Sequence, residues 1–179
     1  DYYDGPFPSS GLILARMISH KTFVSLDLMQ SRARKTIVQP DDMLSGYTLQ
    51  NQIESYMLHQ ARKFVKRFDP NSYLRIVNAW QAFDLPAQMG TEEDPSACFR
   101  HCREQEWLIF TINSDVCFYP DEQMEIAHAI KQNKISYQHI TVHSDKGHDS
   151  FLLEPELYKP HLSYKLNDTY DQITADFSI

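Results

Sequence analysis

Two β-favouring runs in the second half of the chain, joined by a helical stretch, constrain the fold more than any other feature. Trp107-Leu108-Ile109-Phe110-Thr111-Ile112 forms the centre of a continuous apolar run, Glu106–Asn113, as expected of a strand buried on both faces. A second, β-rich run covers Ile135–Thr141. Between them, Pro120-Asp121-Glu122 opens a helix to about Lys131, with proline in its first turn and two acids at its positive end. Asn133 closes it. Strand, helix and strand in this order predict a crossover between parallel strands, the repeating unit of an α/β sheet.

The preceding sequence reads as helices and loops. Residues 1–10 are a Pro- and Ser-bearing lead-in, and Ser9 or Ser10 caps a helix from about Gly11 to Ser19. A short helix is expected over Leu26 to Lys35, then a loop from Pro40-Asp41-Asp42 with its turn at Ser45-Gly46. From Gln52 to Phe68 the pattern is firmly helical: Ile53, Tyr56, Met57, Gln60, Phe64 and Phe68 make one stripe, with Arg62, Lys63 and Lys66 off it. Asp69-Pro70-Asn71-Ser72 breaks that helix and caps the next, Tyr73 to Phe83. Pro86 to Ser96 is a mixed loop, followed by a short helix to about Arg103. The expected organisation is a helical region over 1–103, an α/β region over 104–166 and a tail over 167–179 with weak signals, expected to be disordered.

Composition excludes several function classes. Hydrophobic residues make up 42% of the 179, with ten Phe, ten Tyr and two Trp, enough for a real core. The 24 acidic residues against 17 basic give a net charge of −7, which disfavours nucleic acid or an anionic membrane as partner. No apolar run approaches the roughly 20 residues of a membrane span. Three cysteines suit a reducing compartment, so the cytoplasm is the expected location. Cys98, Cys102 and His101 lack a second ligand pair, and no metal site is expected.

The chemistry sits just past the two strands. Asp115 follows the first, in Asn113-Ser114-Asp115; His148 follows the second, in Gly147-His148-Asp149-Ser150. An acid and then an imidazole at consecutive strand ends is how an α/β-hydrolase presents the last two members of its triad, in the order nucleophile, acid, histidine. The nucleophile belongs on a Gly-x-Ser-x-Gly turn, and none of the five glycines has that pattern. The chain is therefore expected to be the C-terminal part of something longer, with the nucleophile upstream of Asp1.

Four stretches together carry a resemblance to a known family. They are Gly11-Leu12-Ile13-Leu14-Ala15-Arg16-Met17; Glu54-Ser55-Tyr56 through Lys63-Phe64 to Arg67-Phe68-Asp69-Pro70-Asn71-Ser72-Tyr73-Leu74; Ser114-Asp115-x-x-Phe118-x-Pro120; and Gly147-His148-Asp149-Ser150-Phe151-Leu152. With these in register, the chain resembles the homoserine O-acyltransferases of methionine biosynthesis up to about Glu154. Val116-Cys117 and Tyr119 depart from the family pattern, and the residues after about Lys165 match nothing in it.

The resemblance implies an α/β-hydrolase fold, with residues 1–103 as most of a helical lid and the earlier strands of the sheet missing. It implies transfer of an acyl group from acetyl-CoA or succinyl-CoA to the hydroxyl of L-homoserine through a serine acyl-enzyme, with no permanently bound cofactor. It makes Asp115 the triad acid and His148 the base. It also makes Arg16 and Asp149 the substrate-binding pair, a guanidinium fork for the homoserine carboxylate and a carboxylate for its ammonium. It implies a homodimer formed through lid helices. The alternatives are an acyltransferase for serine or an esterase on the same fold, or a non-catalytic fragment acting as an assembly module.

Overall fold

The computed structural model of the chain describes residues 4–5, 7–33 and 48–176. The loop expected from Pro40 to Gly46 lies outside them. The chain divides into two compact units, with the boundary between Leu85 and Pro86.

In the first unit, local side-chain capping fixes where every described helix but the first starts. Helix α1 spans Ser9–Phe23, and α2, Leu26–Arg32, begins where the Ser25 hydroxyl accepts the Leu28 N–H at 3.3 Å. Helix α3, Gln52–Val65, opens on a reciprocal box: Asn51 Oδ1 accepts the Glu54 N–H at 2.9 Å, and Glu54 Oε2 accepts the Asn51 N–H at 3.3 Å. Helix α4, Pro70–Gln81, starts three residues before the expected Tyr73. The Asp69 carboxylate caps it by accepting the Ser72 N–H at 2.7 Å, and Pro70 needs no partner for a missing N–H in the first turn.

The core of this unit is Ile13 and Met17 of α1, Leu49, and Leu58 and Ala61 of α3. The line of α3 buried most deeply is Ser55, Leu58 and Ala61, not the expected stripe from Ile53 to Phe68, whose members are half-buried. Two small side chains on that line let the α1 backbone approach where a larger residue would hold it off. Helix α4 buries little: Leu74, Ile76 and Trp80 are exposed, and so is Phe83 just beyond it.

The second unit holds the sheet. Strand β1, Glu106–Ile112, pairs in parallel with β2, Ser136–Val142, from Glu106 opposite Ser136 to Ile112 opposite Val142. The crossover is α6, Pro120–Gln132, one residue longer than expected. Alternation of side chains divides the sheet into two cores. On one face Ile109 and Ile135 pack with Ala127 and Ile130 of α6, with Trp107 and Tyr137 alongside. On the other, Ile112 and Val142 pack with Tyr158, with Phe110 and Ile140 alongside.

Around the sheet lie α5 (Leu85–Met89) at the unit boundary, a 3-10 turn at Pro95–Phe99, α7 (Ser150–Leu153) and α8 (Lys159–Asp176). Residues 86–103, expected to go with the helical region, belong to this unit. Phe99 meets Trp107 edge-on at 5.7 Å, and the Asn133 side chain donates to the Ser96 carbonyl at 2.7 Å. The tail read as disordered instead continues α8 from residue 167 to Asp176. Among the described residues, no helix is long and apolar enough to cross a membrane.

Candidate active site

Beyond β1 the backbone pairs for one more residue, the Asn113 N–H donating to the Val142 carbonyl at 3.1 Å. It then turns, with the Asp115 N–H donating to the Ile112 carbonyl at 3.1 Å. The Asp115 side chain folds into this turn: Oδ1 accepts the N–H groups of Cys117 at 2.7 Å and Phe118 at 3.0 Å. That leaves Oδ2, which lies 2.8 Å from Nδ1 of His148. Asp115 is 6% exposed, so the chain has buried a carboxylate and given it three hydrogen-bond partners.

An ionised carboxylate only accepts, so the hydrogen of this bond belongs to Nδ1. Nε2 is then the nitrogen with a lone pair, the form of the ring that can take a proton from a hydroxyl. The His148 side chain is 23% exposed, and Phe118 and Phe151 meet its ring edge-on at 5.2 and 5.9 Å.

The loop that carries His148 is tied to the Asp115 loop. Asn113 Oδ1 accepts the Ser144 N–H at 2.9 Å, and the Ser114 hydroxyl accepts the Gly147 N–H at 3.1 Å. Gly147 has φ +74°, a left-handed conformation that a side chain would strain. The Ser144 hydroxyl bonds the Glu154 carboxylate and accepts the Lys146 N–H at 3.0 Å. Ser150 is fully buried, with its hydroxyl 2.7 Å from the Tyr158 hydroxyl. Burial pushes the Tyr158 phenol above its usual range, keeping it protonated.

The pair opens on a cavity of about 590 Å3 whose walls include Phe110, Phe118, Phe151, Leu162 and Leu166, with Gln123, Lys159 and Ser163 among its polar lining. A base against largely apolar walls suits chemistry that must keep water away from a reactive acyl group.

The other two residues picked out by sequence stand apart from this pair in kind. Asp149 follows His148 directly, half-buried at the start of α7; its carbonyl accepts the Leu152 N–H at 2.9 Å, and its side chain does not cap the helix. Arg16 belongs to the first unit, where its guanidinium lies over the rings of Phe23 at 5.2 Å and Phe64 at 4.9 Å. The loop-tying residues Asn113, Ser114, Ser144, Glu154 and Tyr158 were not singled out by sequence. The sequence signal for Asn113 and Ser114 is the polar triplet that ends an apolar strand, Asn113-Ser114-Asp115; Ser144, Glu154 and Tyr158 carry none.

No family model matches the chain. Curated proteins do. A homoserine O-succinyltransferase from Nitrosomonas europaea is 35% identical over 169 residues, 94% of this chain and 44% of that protein. A homoserine O-acetyltransferase from Haloferax volcanii is 34% identical over 173 residues, covering 91% of this chain and 41% of that protein. The chain thus spans less than half the length of these relatives. Among solved structures, the crystal structure of homoserine O-acetyltransferase from Bacillus anthracis superposes with a TM-score of 0.71 at 14% identity, over 89% of this chain and 41% of that one. That likeness is one of fold.

Proposed function

We propose that this chain, which is homologous to the homoserine O-acyltransferases over nearly its whole length, supplies the acid, the base and the acceptor-binding pair of an acyl transfer to L-homoserine. The observation that carries the proposal is the contact of 2.8 Å between Asp115 Oδ2 and His148 Nδ1, each residue just past one of two paired strands.

In this reading a serine hydroxyl, from residues not in this sequence, gives its proton to His148 Nε2 as its oxygen attacks the thioester carbonyl of acyl-CoA. Asp115 holds the ring in the required tautomer and stabilises the imidazolium that forms. His148 then returns the proton to the leaving thiolate, and an acyl-serine remains. In the second half-reaction Nε2 takes the proton of the homoserine hydroxyl as that oxygen attacks the acyl-serine, and the released serine recovers the proton.

Homoserine is a zwitterion, and the resemblance assigns Arg16, in the first unit, to its carboxylate and Asp149, in the second, to its ammonium. Such a pair favours an amino-acid acceptor over water. The relatives carry both succinyl and acetyl names, so the donor in this reading is an acyl-CoA of either kind. The helical unit that ends at Leu85 acts as the lid, and its exposed apolar residues, Ile76, Trp80 and Phe83, support pairing of two copies through lid helices. The enzyme works in the cytoplasm and holds no permanent cofactor.

The test is acyl transfer by the intact enzyme with homoserine, serine or no added acceptor, together with acyl-enzyme formation in the Asp149→Asn variant. Asp149→Asn should impair use of homoserine far more than formation of the acyl-enzyme. Equal loss in both steps, or turnover indifferent to homoserine, would overturn the proposal.

A further inference from the structure

The loop 145–149 that carries His148 lies between two buried serines, Ser144 and Ser150. Both hydroxyls bond side chains that flank one 3-10 turn, Pro155–Leu157. The Ser144 hydroxyl bonds the Glu154 carboxylate just before that turn, and the Ser150 hydroxyl lies 2.7 Å from the Tyr158 hydroxyl just after it. The turn is itself stiff. Pro155 fixes its first φ, the Leu157 N–H donates to the Glu154 carbonyl at 3.0 Å, and the Tyr158 N–H donates to the Pro155 carbonyl at 3.1 Å. Tyr158 is buried against Ile112 and Val142, the last residues of β1 and β2, the strands that lead to Asp115 and His148.

We propose that the turn Pro155–Leu157 brackets the loop 145–149 through Ser144–Glu154 and Ser150–Tyr158, and that Glu154 and Tyr158 thereby position His148 as the base; this rests on the reading of His148 given above. One tie alone would let the loop swing about it, whereas a tie at each end fixes both its place and its tilt. Both serines are buried, and a buried hydroxyl that loses its partner costs more than one in water, so the ties resist opening. The contact with Asp115 holds one edge of the imidazole; the loop backbone decides where Nε2 points. That matters for rate, because a displacement of about 1 Å at a reacting group can cost on the order of 10^2-fold. Glu154 and Tyr158 act on His148 through the serines; they are positioning residues.

The test has two arms. In the chain, the Nδ1 hydrogen of His148, bonded to Asp115, should give a proton resonance well downfield of the amides, identified by its loss in His148→Gln. Glu154→Ala and Tyr158→Phe should each speed its exchange with water about five- to tenfold, the worth of one hydrogen bond. Glu154→Gln, whose amide oxygen still accepts the Ser144 hydroxyl, should stay within about twofold of the parent. The second arm follows acyl transfer by the intact enzyme. The double variant Glu154→Ala and Tyr158→Phe should lower kcat about ten- to hundredfold with the KM for homoserine little changed, and Glu154→Gln should keep the parental rate. Ser144→Ala repeats both arms from the loop side, so the idea does not depend on one variant folding.

Exchange unmoved by both Glu154→Ala and Tyr158→Phe, or a parent without the resonance, overturns the bracket. A fall in kcat that Glu154→Gln shares assigns the effect to the Glu154 charge and overturns it too. Faster exchange with an unchanged kcat, or a KM that rises as kcat falls, overturns the role in positioning the base. If the parent transfers no acyl group, or His148→Gln transfers it as well, the reading of His148 as base fails instead, and the resonance alone decides whether the bracket exists.

Discussion

Asp115 divides its two oxygens between two tasks: Oδ1 closes its own turn on the Cys117 and Phe118 N–H groups, and Oδ2 faces His148. Asn in its place can keep Oδ1 as an acceptor, but must then turn its amide N–H toward the imidazole. The ring answers with a lone pair on Nδ1 and its hydrogen on Nε2, the wrong tautomer for a base. In the proposed reaction, Asp115→Asn in the intact enzyme should therefore lower the kcat of acyl transfer by about 10^4 with little change in Tm, as checked by steady-state rates beside thermal melts. A large fall in Tm would make the defect structural. His20 poses the opposite problem, a buried imidazole whose two nitrogens have no hydrogen-bond partner among the described residues, packed 5.6 Å from the Tyr56 ring. Burial, with the nearby charges of Arg16 and Arg32, lowers its pKa from 6.5 to about 4. The folded state thus binds a proton less readily than the unfolded one. Stability is complete above about pH 6.5 and is lost as pH falls toward 4, by on the order of 3 kcal/mol from this one group. Denaturant melts of His20→Leu between these pH values should show a flatter profile than the parent; parallel profiles would remove His20 as the cause.

At the scale of elements, the fit of α1 against α3 depends on small side chains. Ala61 is fully buried and Ser55 is 6% exposed on the line of α3 buried most deeply. Periodicity in the sequence pointed to the larger residues beside them, because hydrophobic size marks a face without saying how close a neighbouring helix comes. Ala61→Leu should cost about 1–3 kcal/mol through overpacking, seen as a lower midpoint in denaturant. A helix that tolerated leucine there at no cost would mean that α1 and α3 do not meet along this line. Helix starts were more legible where the cap is local: Asp69-Pro70 was seen as a stop and a start, and the observed helix uses both residues. The strands were legible to within a residue at each end, since an apolar run flanked by polar residues leaves few registers open.

For the whole molecule, the parallel pair and the Asp115–His148 contact were readable because both follow from order along the chain. The division between Leu85 and Pro86 was not, since residues 86–103 join the sheet unit through tertiary contacts such as Phe99 with Trp107, which leave no periodic trace. The ties from Ser144 to Glu154 and from Ser150 to Tyr158 were hidden for the same reason. Helix α8 adds a feature of the surface as a whole. Leu162, Leu166, Tyr170 and Ile173 recur at helical spacing and are 45%, 69%, 67% and 51% exposed. A contiguous apolar stripe of this kind favours association, and a net charge of −7 opposes it only at a distance set by ionic strength. Self-association of the chain should therefore grow as salt screens the charge. The double variant Tyr170→Glu and Ile173→Glu breaks the stripe at two exposed positions outside the cavity lining and makes the chain more acidic. It should move the onset of light scattering to higher protein concentration at every salt concentration, with helix content by circular dichroism unchanged. An onset that stayed where it was would assign the association to another surface, the exposed Ile76, Trp80 and Phe83 being the next to test.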